Sequence, residues 1–162
     1  MRQIFSILIF IFSINSFAQV NDSLIRMQVL NKGIVDSIFI YGKWTKDGGT
    51  QTELKYLGLI TTDSGKVYKI VNSSWIFGFA ERATNRILIF DDENRYIGNY
   101  GLFTKSDLPD KLINNQLIFT NSDNNGCDKL LITKIDLSQG LPKHIFIKCN
   151  GLDGDLFVFS IN

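Results

Sequence analysis

The chain has 162 residues, with 17 Lys and Arg against 16 Asp and Glu, two cysteines and one histidine. Charge this evenly balanced, with no window that concentrates basic side chains, excludes a phosphate-neutralising nucleic-acid face and a polybasic grip on an anionic membrane. A single histidine excludes multi-histidine metal centres, and the length suits one core rather than several.

The first eighteen residues read as an address. Arg2 precedes an apolar run from Ile4 to Ile14, and Ser16 and Ala18 stand at the −3 and −1 positions before Gln19, the pattern of a secretory cleavage site. That run spans roughly 16 Å as a helix, about half of a ~30 Å hydrocarbon core, so residues 1–18 are expected to be a signal peptide and not an anchor. No later apolar stretch reaches spanning length. The first cysteine is Cys127, so no lipid attaches at the cleavage point. The expected product is exported and soluble, in the periplasm or the medium.

Residues 19–33 form an N-terminal segment that is either helical or extended. In a helix, Asp22 would cap it and Leu24, Met27 and Leu30 would share a face. Residues 34–162 carry the signature of one all-β antiparallel domain of about 8–11 short strands, a barrel or a sandwich. Strands are expected at Ile34 to Trp44, Glu53 to Ile60, Lys66 to Asn72, Trp75 to Phe79 and Arg86 to Phe90. They continue at Arg95 to Phe103, Leu108 to Ile113, Gln116 to Thr120, Asp128 to Asp136, Lys143 to Cys149 and Leu156 to Ile161. Ser64-Gly65 and Asn114-Asn115 suit tight hairpins, Asp91 to Asn94 a four-residue loop, and Gly151 to Asp155 a longer one. Ala80 to Thr84 could form one helical turn.

Export places Cys127 and Cys149 where paired thiols oxidise, so a structural disulfide is expected. A hairpin aligning the two cysteines would put Asp128 opposite Lys148, Leu130 opposite Phe146, Leu131 opposite Ile145 and Ile132 opposite His144, all favourable pairs except Lys129 with Ile147.

Little else carries chemistry. His144 alternates with apolar residues on a strand, a structural or surface setting. Asn121 to Gly126 imitates the first half of a calcium loop, but the twelfth position is Ile132 and no paired helices flank it. Asp91-Asp92-Glu93 and Asp153-Gly154-Asp155 read as acidic turns. Only three glutamates, Glu53, Glu81 and Glu93, are available for paired-carboxylate hydrolysis. The chain has no phosphate loop, nucleophile elbow or zinc-protease motif. No cofactor or metal site is expected, and the chain leans away from enzymes.

The aromatics remain. Trp75 to Phe79 reads as a strand buried on both sides, or as a ligand-lining wall that includes Trp75 and Phe77. Tyr96 and Tyr100 are expected on one face of a strand, with Gly98 leaving a gap between them for a ligand or another backbone.

Gly42-Lys43-Trp44, on an early strand of an exported antiparallel chain, resembles the G-x-W motif of lipocalins and small bacterial lipocalin-like barrels. The resemblance implies a small apolar ligand inside a barrel, with Trp44 closing one end in a structural role. An Arg from a late strand and a C-terminal helix would complete the pattern; no Arg follows Arg95. The expected function is binding of a small apolar molecule or a partner. The alternatives are a secreted structural or inhibitor-like interaction domain and, behind both, a carboxylate hydrolase.

Overall fold

A computed structural model describes residues 22–121 and 126–161 of the protein. The expected signal peptide, residues 1–18, and most of the calcium-like loop lie outside the described residues.

The described chain begins with a helix, α1 (Asp22–Lys32), followed by ten strands. Asp22 in its first turn and Lys32 in its last complement the helix dipole. Gly33, at φ 59°, stops it by donating its N–H to the Val29 carbonyl at 3.1 Å. The helical alternative for this segment is therefore the one formed, but with a different buried face. Ile25, Val29 and Leu30 are buried, whereas Leu24 and Met27 are exposed. The apolar side that counts is the one facing the sheet below.

The strands are β1 (Ile38–Gly42), β2 (Gln51–Thr61), β3 (Val67–Phe77), β4 (Arg82–Phe90) and β5 (Tyr96–Leu102). After a short 3-10 turn at Lys105–Asp107 come β6 (Lys111–Ile113), β7 (Gln116–Thr120), β8 (Ile132–Asp136), β9 (His144–Asn150) and β10 (Asp153–Ser160). They form a seven-stranded antiparallel sheet, β1-β2-β3-β4-β5-β10-β9, and a three-stranded one, β6-β7-β8. The long sheet has ends at β1 and β9, so the architecture is two facing sheets and not a closed barrel. One core, including Leu57, Ile70, Ile87, Tyr100, Leu117, Ile145 and Phe157, fills the space between the sheets. A second packs Ile25, Val29 and Leu30 of α1 against Leu54, Tyr56, Val71, Leu88 and Phe90 on the other face.

Several boundaries differ from the sequence expectation for physical reasons. Lys66 to Asn72 and Trp75 to Phe79 merge into β3, because Ser73 and Ser74 continue the ladder and no turn forms there. The turn expected to be helical at Ala80 to Thr84 is instead a tight reversal, with Glu81 at φ 52° and β4 beginning at Arg82. The Cys127–Cys149 hairpin does not form: β8 pairs with β7 and β9 with β10. Asn114 and Asn115, both at positive φ, close the tight β6–β7 turn as expected.

Two bulges invert the side-chain alternation. In β2 the ladder shifts between Tyr56 and Gly58, so Leu54 and Tyr56 face α1 while Leu57 and Ile60 face the other sheet. In β5 it shifts between Tyr96 and Gly98. Tyr96 therefore packs on the α1 side and Tyr100 in the core between the sheets, which corrects their assignment to one face. The gap at Gly98 is filled by protein: a Cβ there would meet the Ser160 carbonyl oxygen at 2.4 Å and the Phe159 ring at 2.7 Å. Gly98→Ala should force β5 and β10 apart and cost about 1–3 kcal/mol, read as a shifted urea midpoint at unchanged m-value. A midpoint equal to that of the unaltered protein would refute the close approach.

Candidate functional site

The register of β1 to β4 builds a site on the face that carries α1. Tyr41 pairs with Thr52, Thr52 with Trp75 and Trp75 with Thr84, so one cross-strand row alternates aromatic rings and hydroxyls. In the next row toward α1, Ser73 pairs with Arg86. The helix packs over Leu54 at the β2 end of that row and over the following row, where Tyr56, Val71 and Leu88 lie beneath it. The row of Tyr41, Thr52, Trp75 and Thr84, the Ser73–Arg86 pair and Asp22 and Arg26 of α1 enclose a groove of about 530 Å³.

The groove walls have distinct roles. Trp75 is 41% exposed and its ring stacks on Phe77, with centroids 4.3 Å apart and planes 22° apart. Phe77 thus braces an indole that stays partly exposed and lines the groove. At the helix end, Asp22 and Arg26 form an i,i+4 ion pair, and the Arg26 guanidinium lies 5.8 Å from the centroid of the Tyr96 ring. Arg26 thus meets a carboxylate and a ring, while its Nε is buried without a hydrogen-bond partner among the described residues. Arg86 forms no ion pair or side-chain hydrogen bond among the described residues. Lining charges are therefore two cations and one carboxylate, and the carboxylate is already paired.

Of the aromatics singled out by sequence, Trp75 lines this groove and Phe77 supports it. The run from Trp75 to Phe79 is not buried on both sides; it sits at the open end of the sheet, and Phe79 is exposed. Tyr96 packs edge-on against Phe90 at 5.6 Å and accepts a hydrogen bond from Asn99 Nδ2 at 2.7 Å. Tyr100 is fully buried, and its hydroxyl donates to the Pro142 carbonyl at 2.6 Å. Neither tyrosine lines the groove.

The remaining candidates are dispersed. Cys127 and Cys149 are disulfide-bonded, with Cα atoms 4.5 Å apart, as their expected compartment suggested. His144 lies exposed on β9. Asp91 organises its own turn, accepting from the Glu93 and Arg95 backbone N–H groups and from the Arg95 side chain. Asp153 and Asp155 are exposed at the start of β10. Glu53 pairs with Lys105 and Glu93 with Arg95. No cluster of three or more metal-ligating side chains occurs among the described residues.

Sequence reasoning missed Tyr41, Thr52, Ser73, Thr84 and Arg86. Their common signal is alternation along β1 to β4, which on β3 is readable only once Ser73 and Ser74 are taken as strand. Trp44, of the G-x-W motif, is half-buried outside the groove, its Nε1 donating to the Gly78 carbonyl at 2.7 Å. That bond ties the end of β1 to the β3–β4 turn beside Trp75. No helix among the described residues is long and apolar enough to cross a membrane. No protein-family model, curated protein or solved structure matches the chain.

Proposed function

We propose that the protein is an exported binding module that holds a small ring-bearing molecule in the groove between α1 and strands β1 to β4. The observation that carries this reading is the braced, partly exposed indole of Trp75 in a concavity of about 530 Å³, within the usual size range of small-molecule sites. Thr52, Ser73 and Thr84 place hydroxyls beside the ring, so the ligand that suits the groove is amphipathic, and the expectation of an apolar molecule is revised accordingly. Binding is favoured over hydrolysis because the lining holds one carboxylate, Asp22, tied to Arg26, where glycoside hydrolysis needs two. Export is supported by the disulfide, which belongs to oxidising compartments.

Native mass spectrometry of protein purified from its own host tests the reading. The unaltered protein should carry a non-covalent adduct of small-molecule mass, and Trp75→Ala should weaken its retention roughly tenfold or more through lost stacking and burial. An adduct retained equally by Trp75→Ala, or a bare protein whose Trp75 emission stays unchanged across a metabolite library, would remove the groove from consideration.

A further inference from the structure

We propose that the groove selects an acidic sugar, a hexuronate unit whose ring stacks on Trp75 and whose carboxylate pairs with Arg86; this rests on the groove being the binding site. Three observations converge on that chemistry. The first is the aromatic platform. An exposed indole held flat by Phe77 offers a face to the C–H side of a pyranose, as rigid aromatic surfaces do for amphipathic rings.

The second is the distribution of hydroxyls. Thr52 and Thr84 flank Trp75 in its own cross-strand row, and Ser73 lies two residues from it along β3 on the same face. A purely aromatic ligand would leave these groups without partners, whereas a sugar presents hydroxyls around its rim at the level of the sheet. Desolvating hydroxyls without replacing their hydrogen bonds is costly, so the lining discriminates against the aromatic alternative.

The third is the charge. Arg86 is half-buried and has no ion-pair partner among the described residues, while the other groove guanidinium, Arg26, is matched by Asp22. Arg86 occupies the diagonal position to Trp75, since Trp75 pairs with Thr84 and Arg86 follows two residues later. Diagonal neighbours stand roughly 7–8 Å apart at Cα, a span that a ring centred on the indole bridges with a carboxylate at its edge. Guanidinium matches a carboxylate through two parallel N–H donors, and a neutral sugar offers nothing equivalent.

The test is saturation-transfer NMR on the full chain with glucuronate, glucose and benzoate at millimolar concentration. Glucuronate should bind at least roughly tenfold more tightly than glucose, the discrimination expected of one charge-assisted pair, and benzoate should bind more weakly than glucuronate. Arg86→Gln should erase the preference for glucuronate over glucose, and Arg86→Lys should restore part of it; thermal melts confirm that both variants fold. Equal binding of glucose and glucuronate, unaffected by Arg86→Gln, would overturn the acid assignment and leave the groove reading standing. Benzoate binding more tightly than glucuronate would overturn the sugar assignment alone. No binding of glucuronate by the unaltered protein would overturn the proposal, with the groove still judged by its native adduct. Glucuronate binding that survives Trp75→Ala would remove both.

Discussion

Replacing Tyr100 with alanine should cost about 3–5 kcal/mol, as deletion of a large buried ring does, and lower the melting temperature by about 10 °C or more. Tyr100 is fully buried between the two sheets and packs against Phe159 with ring centroids 5.1 Å apart. Its hydroxyl donates to the Pro142 carbonyl at 2.6 Å, joining the middle of β5 to the segment that leads into β9. Tyr100→Phe separates the two contributions: the ring remains, the Pro142 carbonyl loses its donor, and the expected cost falls to about 1–3 kcal/mol. Burial also pushes the Tyr100 phenol well above its ordinary value of 10.0. The folded state therefore keeps this proton at pH values where the unfolded chain releases it. The resulting contribution is complete below pH 10 and lost as the pH rises above it. Denaturant titrations at pH 8 and pH 11 should show a loss of stability that Tyr100→Phe reduces. Unchanged alkaline sensitivity in that variant would place the titrating group elsewhere, with Tyr56, also raised by burial, the next to examine.

Strand rhythm was legible in the chain because each short apolar segment is bounded by residues that tolerate turn geometry. Asn114, Asn115 and Gly65 adopt the positive φ that tight turns require, and β1 to β5 follow one another as antiparallel neighbours. Bulges were only half legible. Each bulge lies beside an isolated strand glycine, Gly58 or Gly98, which signals either a bulge or a close backbone approach without saying which, and the extra residue at Ile97 decides that Tyr96 and Tyr100 face opposite layers. Period-2 reasoning fails wherever such a shift falls inside a strand.

Pairing of distant strands was equally hidden. Aligning Cys127 with Cys149 yielded plausible neighbours, including Asp128 opposite Lys148, but matching pairs do not specify which strands meet. The turn at Gly151 joins β9 to β10, and the Asn114-Asn115 turn begins a meander that leaves β8 beside β7. The groove suffered from the same limit. Its rings and hydroxyls come from β1, β2, β3 and β4, and the row of Tyr41, Thr52, Trp75 and Thr84 exists only in their mutual register. Trp75 was visible alone; the company that turns it into a site was not.

Reduction of the Cys127–Cys149 disulfide, or its replacement by paired serines, should cost about 3 kcal/mol on the chain-entropy account, since the bond closes a loop with a sequence separation of 22. The location shows why the loss falls on one side of the molecule. β9 ends the large sheet and β8 ends the small one, so the bond clips the connection between β7 and β8 onto a terminal strand. Around it, the Asp128 N–H donates to the Cys149 carbonyl at 2.9 Å, and the Lys148 N–H to Thr133 Oγ1 at 3.0 Å. These two hydrogen bonds join the same edges and fray once the covalent tie is gone. Calorimetry with and without reductant should show the melting temperature fall by roughly 10 °C, and amide exchange should quicken first in β8 and β9. The groove lies on the opposite face, where β1 to β4 meet α1, so ligand retention should persist at temperatures where the reduced protein remains folded. An unchanged melting temperature would deny the bond its stabilising role. Loss of the groove ligand on reduction below the melting transition would instead show that the two faces are coupled through the core shared by β3, β4 and β5.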